Sequence, residues 1–386
     1  MELDVNNGFD VEEVHAVKVV GSELLKRLMD HAFEEENVYL EQGLMCDPDA
    51  IGIEADSKPR MPTKRKGVPI TGEERPPQKK KQKYTYVSWD GKTPRPLIDT
   101  AGVVFGVLAG RPNDDEWLRA SERLYEAMRI EASGANFTDE SLHDPKVLHH
   151  GRGHFPAINA GITPGQGSQF PHMVDLKIYD EMISRLLKNK DLQYLADWHS
   201  WCIKAWSPDL YDRLKACLDK LHAHPIYGEG LERITPAGIF PAAAFNFGPN
   251  ATTDPHRDVK NYAFGWCSIQ PVGPFKSEKG GHIFFDDLRL VVQFPSGSVI
   301  LIPSATLTHA NIRVTEGDER ASFTQYFPAG ILRFVENGFR TEKKIKKSLK
   351  SHKAKLEFHE RKSKGSEIGM RIWKRLPELI EVHIHN

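Results

Sequence analysis

Cysteine is scarce in this chain: four in 386 residues, at positions 46, 202, 217 and 267. None forms a C-x-x-C pair, so neither a disulfide framework nor a structural zinc module is expected, and the usage fits a reducing compartment. Long apolar runs are missing too. No stretch approaches the ~20 residues that a membrane-spanning helix needs, so no membrane partner is expected. The opening residues, Met1-Glu2-Leu3-Asp4, are acidic and polar, which argues against a secretory leader. Net charge is almost absent: 52 Lys and Arg face 53 Asp and Glu, for a balance of -1. That balance hides segregation, because residues 1–57 are acidic, 58–83 strongly basic and 340–364 basic again. The local patches therefore say more about partners than the total does.

What is present divides the chain into three parts. Residues 1–83 form an N-terminal extension. Val17, Val20, Leu24, Leu25 and Leu28 recur at helical spacing and predict a helix within residues 11–45. Pro59, Pro62, Pro69, Pro76 and Pro77 then interrupt a polar run, which predicts a partly disordered N-terminal region. Inside it, Lys64-Arg65-Lys66 and Lys79-Lys80-Lys81-Gln82-Lys83 match a bipartite nuclear localisation signal, so a nuclear location is expected. Residues 84–340 carry the periodic patterns of an ordered domain. Ile98–Leu108 reads as one or two buried strands, and Glu116–Ile130 as a helix after an Asp-rich turn. His149–Gly167 reads as an irregular loop rich in Gly and His, with Arg152 its most notable residue. Residues 175–224 read as helices whose Leu and Trp stripes face a core, with Ser207 capping the last of them.

From Ile239 the apolar period changes from 3.6 to 2. Seven strand-like runs follow: 239–247, 262–270, 282–285, 290–294, 298–303, 308–314 and 321–327, separated by turns rich in Gly, Pro and Asp. The expected fold is α+β, a double-stranded β-helix (jelly roll) over about residues 239–330 flanked by a helical layer. Residues 341–386 are expected to be a basic helical tail, with Met370–Ile380 as a final docking helix.

The chemistry centres on His256 and Asp258. Two residues apart in extended chain they share one face, and they are expected just after the first core strand, at its mouth. An imidazole and a carboxylate, joined by a second imidazole, make the facial triad that holds Fe(II) and leaves positions open for a co-substrate and dioxygen. His309, on a late strand, is the expected third ligand, while His282 is assigned a structural role. A dicarboxylate chelating iron through its keto-acid end needs a cation at its far end, and the planar fork of Arg320 suits that role. Ser322, in phase with it, adds a hydroxyl, and Arg152 is a second candidate cation. The expected cofactors are Fe(II) and 2-oxoglutarate, with O2 as co-substrate.

Residues 245–342 resemble the TET/JBP group of 2-oxoglutarate dioxygenases, the ten-eleven-translocation enzymes and the kinetoplastid base-J proteins. They are most similar to the transposon-associated branch of basidiomycete fungi. The likeness is carried by FNFGPN, HRDVKN, FGWCSIQPVGPF, KGGHIFFDDLRLVVQFPSGSVILIPSATLTHANI, ERASFTQYF and FVENGFRTE. It extends more loosely to RGHFPAINAGITPGQG. The resemblance implies His256, Asp258 and His309 as iron ligands and Arg320, with Ser322 beside it, as the carboxylate anchor. It further implies Asn261 as a hydrogen-bonding partner of a flipped base and Tyr326 as its stacking platform, the two contacts that an enzyme acting on an extruded base needs. The implied partner is double-stranded DNA with a modified base, and the implied reaction is oxidation of 5-methylcytosine to 5-hydroxymethylcytosine, then to formyl and carboxyl products. Two departures bear on the base. Pro328 stands where animal TET enzymes carry a base-contacting His, and the cysteine-rich zinc module of those enzymes has no counterpart. N6-Methyladenine demethylation, hydroxylation of RNA or protein, and a non-catalytic transposon-derived DNA-binding role stay open as alternatives. The C-terminal run of Lys343, Lys344, Lys346, Lys347, Lys350, Lys353 and Lys355 reads either as a grip on DNA phosphates or as a solvated helix.

Overall fold

Alternation along the strands dictates the architecture. A computed structural model describes residues 45–46, 84–99, 103–164, 170–358, 360, 369 and 371–379. The helix expected around Val17–Leu28, the proline-rich linker and both basic clusters lie outside the described residues. The strands are β1 (Met45–Cys46), β2 (Tyr84–Val87), β3 (Arg95–Ile98), β4 (Val104–Gly110), β5 (His149–His150), β6 (Gly153–His154), β7 (Ala157–Thr163) and β8 (His172–Met173). The later ones are β9 (Ala242–Asn246), β10 (Cys267–Val272), β11 (Ile283–Phe285), β12 (Leu290–Val292), β13 (Val299–Ile302), β14 (His309–Asn311) and β15 (Ala321–Tyr326). The helices are α1 (Asp115–Ala135), α2 (Pro145–Leu148), α3 (Asp180–Leu187), α4 (Lys190–Trp206), α5 (Pro208–His222), α6 (Ala329–Glu336) and α7 (Glu342–Ser348).

Two sheets face each other as a jelly roll. The larger runs β3-β4-β13-β10-β15-β9-β7-β8 and the smaller β1-β2-β12-β11-β14. Along β13, Ile300 and Ile302 point between the sheets, while Val299 and Leu301 point into the core shared with the helices, as a two-residue period requires. All seven strands expected after residue 239 are present, shorter than their apolar runs.

The helical layer covers the outer face of the larger sheet. In α1, Asp114 caps the N-terminus by accepting from Glu116 N–H, and Trp117, Ala120, Leu124 and Met128 form the buried stripe. Burial of side chains of this size contributes about 2 kcal/mol each. A polar joint crosses the seam between helix and sheet. Gln325 Nε2 donates to Ala196 O (3.0 Å) and to His199 Nδ1 (3.1 Å), so His199 carries its proton on Nε2 and donates to Gln270 Oε1 (3.0 Å). Burial pushes His199 down to about 4.

Three expectations need correction. The stretch 149–167 is not irregular throughout, because residues 157–163 form β7 and pair with β9. Its Ala and Gly residues conceal the strand. They are small because the backbone is crowded: at Gly161 (φ +95°) an added Cβ would lie 2.3 Å from Pro241 O. The tryptophan stripe of α4 is not all core. Trp198 is half-buried against Trp117, and Trp201 is 43% exposed, stacked on Trp198 at 5.1 Å. The sheet-facing stripe is Leu192, Leu195, Ala196, His199, Cys202 and Ile203, which leaves both tryptophans at the rim. Ser207 occupies the cap position of α5 but makes no cap hydrogen bond; its Oγ donates to Ile372 O (3.4 Å).

The chain after residue 341 returns to the body. Val104 N–H donates to Lys374 O, and Ile372, Leu376 and Leu379 join the main core. Cys202, Cys217 and Cys267 are free and buried. No helix of the described residues is long and apolar enough to cross a membrane.

Candidate metal centre and co-substrate pocket

His256 and Asp258 lie in the loop between β9 and β10, not on a strand. Pro255 offers no N–H to a ladder, and Asn261 N–H closes a turn onto Asp258 O (2.8 Å). The pairing that the strand would have supplied is reduced to one bridge: His256 N–H donates to His309 O (3.1 Å) and His309 N–H to His256 O (3.0 Å). This reciprocal pair sets two imidazoles, remote in sequence, 4.5 Å apart between ring centroids. Asp258 N–H donates to Ser304 O (2.9 Å), which fixes the carboxylate beside them.

The tautomers follow from the acceptors. His256 Nδ1 meets Asp254 O at 2.7 Å and His309 Nδ1 meets Leu307 O at 2.9 Å. A carbonyl only accepts, so both Nδ1 atoms carry the proton and both Nε2 lone pairs are free for a ligand role. Burial first, and then the neighbouring His309, push His256 down to about 4, which keeps it neutral at physiological pH. His256 Nε2 and Asp258 Oδ1 are 3.8 Å apart, and one ligand atom from each of His256, Asp258 and His309 falls within 4.8 Å of the others. Two atoms bound at right angles at ~2.1 Å from one ion stand about 3 Å apart. The three side chains therefore need to draw in by about an ångström. Two imidazoles and one carboxylate on one side of an ion suit Fe(II).

The cleft beside them is narrow, with a cavity volume of about 40 Å³. Arg320 forms its floor, directly before β15, and is only 2% exposed. Its Nη1 donates to Ala251 O (2.7 Å), whereas its Nε is buried with no acceptor. Burial lowers Arg320 to about 10, so the guanidinium stays charged at neutral pH. A buried cation with unspent donors is the complement of a carboxylate, so the pocket fits the far end of 2-oxoglutarate. Ser322 lies in the same cleft, its Oγ accepting from Asn246 Nδ2 (3.0 Å). Arg152, half-buried on the β5–β6 turn, also lines the cleft.

The structure thus brings His256, Asp258, His309, Arg320, Ser322 and Arg152 to one cleft. Asn261 and Tyr326 are not among its lining residues. Asn261 donates from Nδ2 to Ser304 Oγ (3.1 Å) and is bridged through its backbone to Pro328. Tyr326 packs on the core between the sheets, and burial pushes its phenol up to about 12, with Arg152 and Asp258 acting on it in opposite directions. His282 is buried with its ring edge-on to Tyr86 at 5.3 Å, outside the triad.

Two sets of residues escaped the sequence reading. Arg257, between the two ligand residues, donates from Nε to Thr308 Oγ1 (2.7 Å) and from Nη2 to Asp287 (3.1 Å). Asp287 also accepts from Thr308 N–H (2.7 Å), the main reason its carboxyl sits below the usual range. These three residues strap the His256 loop to the strand that begins at His309. Asn311 does the same further in, accepting from Thr253 N–H (2.9 Å) and Oγ1 (2.8 Å) and donating to Ala251 O (3.1 Å). The only signal in the sequence was a pair of aspartates, Asp286-Asp287, in the turn between two strands.

No known family profile and no curated protein match the chain. Among solved structures, NgTET1 in complex with 5mC DNA is similar at 14% identity, covering 64% of this chain and 85% of that one, with a TM-score of 0.45. An oxidoreductase of the 2OG-Fe(II) oxygenase family from Burkholderia pseudomallei gives 17% identity, 46% and 70% coverage and a TM-score of 0.26. The viral collagen prolyl hydroxylase vCPH from Paramecium Bursaria Chlorella virus-1, in its 2OG complex, gives 17%, 22% and 56%, and 0.18. These are partial likenesses of shape; the fold described above stands on the chain's own strand order and the site on its own side chains.

Proposed function

We propose that this chain is a 2-oxoglutarate- and Fe(II)-dependent dioxygenase acting on a methylated base of double-stranded DNA, with 5-methylcytosine as the substrate and 5-hydroxymethylcytosine as the first product. The observation that carries the chemistry is the convergence of two Nε2 lone pairs and a carboxylate beside a buried guanidinium with a donor to spare. When bound, Fe(II) supplies the activation of dioxygen by which one oxygen atom goes to the methyl group while 2-oxoglutarate becomes succinate and CO2. The protein's residues do the rest. His256, Asp258 and His309 hold the ion on one side and leave the other open. Arg320, helped by Ser322, orients the co-substrate by its distal carboxylate, and Arg152 adds positive charge at the wall. Asp254 O and Leu307 O keep both imidazoles in the ligating tautomer. Inter-sheet residues such as Phe294 and Ile269 line the cleft and limit water.

The DNA part of the reading rests on the motif likeness over residues 245–342, with Asn261 to hydrogen-bond the extruded base and Tyr326 to stack on it. Nuclear import through the two basic clusters goes with a DNA substrate. Pro328, bridged to Asn261 where a base-contacting His is usual in animal TET enzymes, favours one second reading: N6-methyladenine as the target of the same chemistry. The test is nucleoside mass spectrometry after parallel incubation with duplexes containing each methylated base. Loss of methylcytosine that requires 2-oxoglutarate and disappears in His256→Ala and Asp258→Ala is the expected outcome. Full turnover by either variant overturns the iron assignment, and turnover of methyladenine alone moves the proposal to the second reading.

A further inference from the structure

His149 and His154 face each other across the β5–β6 ladder, well away from the ligand triad in sequence and both exposed. Their Nδ1 atoms are 3.0 Å apart. Two nitrogens ~2.1 Å from one ion stand about 3 Å apart at right angles and about 3.4 Å apart in a tetrahedron, and the pair falls at the short end of that range. The catalytic trio has to contract to reach it; this pair does not. On the far side of the His149 ring, Nε2 meets a Glu140 carboxylate oxygen at 3.4 Å. A carboxylate behind an imidazole places the proton on the distant nitrogen and turns the near lone pair outward, the usual support of a metal-bound histidine. The third histidine of the hairpin is spent otherwise: His150 Nε2 bonds Phe155 O (3.1 Å) and its Nδ1 accepts from Arg152 N–H (3.3 Å).

We infer that His149 and His154 form a second, two-imidazole site for a divalent ion that prefers nitrogen ligands, such as Zn2+, Ni2+ or Cu2+, with water completing the coordination. Without the ion, one Nδ1–H donates to the other Nδ1. On binding, the donating ring carries its proton on Nε2 instead, so no proton is lost. The position gives the site a consequence. The hairpin that it clamps carries Arg152, whose carbonyl accepts from Asp254 N–H (2.7 Å), and Asp254 O in turn holds His256 Nδ1–H (2.7 Å). An ion on the hairpin therefore tightens the turn on which one catalytic ligand rests.

The experiment is zinc titration calorimetry on the full chain in a His256→Ala background, which cripples the cleft site. One zinc is expected at the hairpin, and it is lost on adding either His149→Ala or His154→Ala. Glu140→Gln, which leaves both ligands, weakens it by about tenfold. Hydrogen exchange at the Asp254 amide slows when zinc is added. Undiminished zinc binding in both double variants overturns the site, as does loss in one alone, and an unchanged Asp254 amide overturns the coupling. Because both rings are exposed, the variants keep the fold, which circular dichroism checks. The inference is independent of the iron chemistry, so either can fail while the other stands.

Discussion

At the scale of the residue, Arg320 has the greatest unmet demand. A guanidinium offers five donors; here Nη1 is answered by Ala251 O, while the buried Nε–H has no acceptor in the protein. A cation in that state costs folding energy, which a dicarboxylate returns on binding. Removing one partner of a buried, hydrogen-bonded charge pair costs roughly 2–5 kcal/mol. Arg320→Met should therefore raise KM for 2-oxoglutarate by at least about thirtyfold, measured as succinate formed against co-substrate concentration. Arg320→Lys should recover only part of it, because an ammonium cannot pair bidentately. The residue was legible in the sequence from its phase with Ser322 and its place before a late strand. Its burial and its orphaned Nε were not, since both depend on the 249–251 segment folding over it. His256, Asp258 and His309 were legible as residue types in a workable order. Asn261 and Tyr326 entered only through motif likeness, and each already has structural work: Asn261 ties a turn to Ser304, and Tyr326 fills the core between the sheets.

At the scale of the element, runs of β-branched and aromatic residues gave away the seven strands after residue 239, because such residues pack on a pleated, half-buried surface. β7 escaped because Ala157, Ala160 and Gly161, the last crowded by Pro241, dilute the apolar signal of Ile158 and Ile162. The ligand pair lies after the first core strand, as expected, but what holds it there, one backbone bridge and a set of side chains, left no mark in the local pattern. The strap of Arg257, Asp287 and Thr308 is half-exposed, with 47% and 37% of the two charged side chains open to water. An ion pair that open adds about 0–1 kcal/mol to stability, so its value lies in geometry. Asp287→Asn should leave Tm within about 4 °C yet weaken Fe(II) binding by several-fold, read by competition with a chelating dye. Unchanged iron affinity would reduce the strap to a surface contact.

At the scale of the whole molecule, the larger sheet serves two cores, and the joint between them is polar. His199 sits in that joint with a folded pKa of about 4 against ~6.5 when unfolded. Between those values the unfolded chain binds the extra proton, so stability falls as pH drops. The loss from this residue is about 2 kcal/mol by pH 5. Urea melts at pH 7 and 5 should show that difference shrinking by a similar amount in His199→Gln. The C-terminal segment belongs to the body through Ile345, Phe358, Ile372 and Leu379, all buried, so truncation would open the core and charge reversal is the cleaner probe. If α7 touches DNA phosphates, Lys346→Glu with Lys347→Glu should lower affinity and reduce the slope of log K against log salt by about 2. An unchanged slope would return the helix to a solvated face. The mutual backbone bonds between His256 and His309 assemble the ligands with the fold itself, before any ion arrives. Loading then asks only for a side-chain contraction of about an ångström, and a site of this donor set ranks divalent ions by their intrinsic order, in which copper, nickel and zinc outcompete iron. Which metal the molecule carries is then decided by the inventory of the cell that makes it.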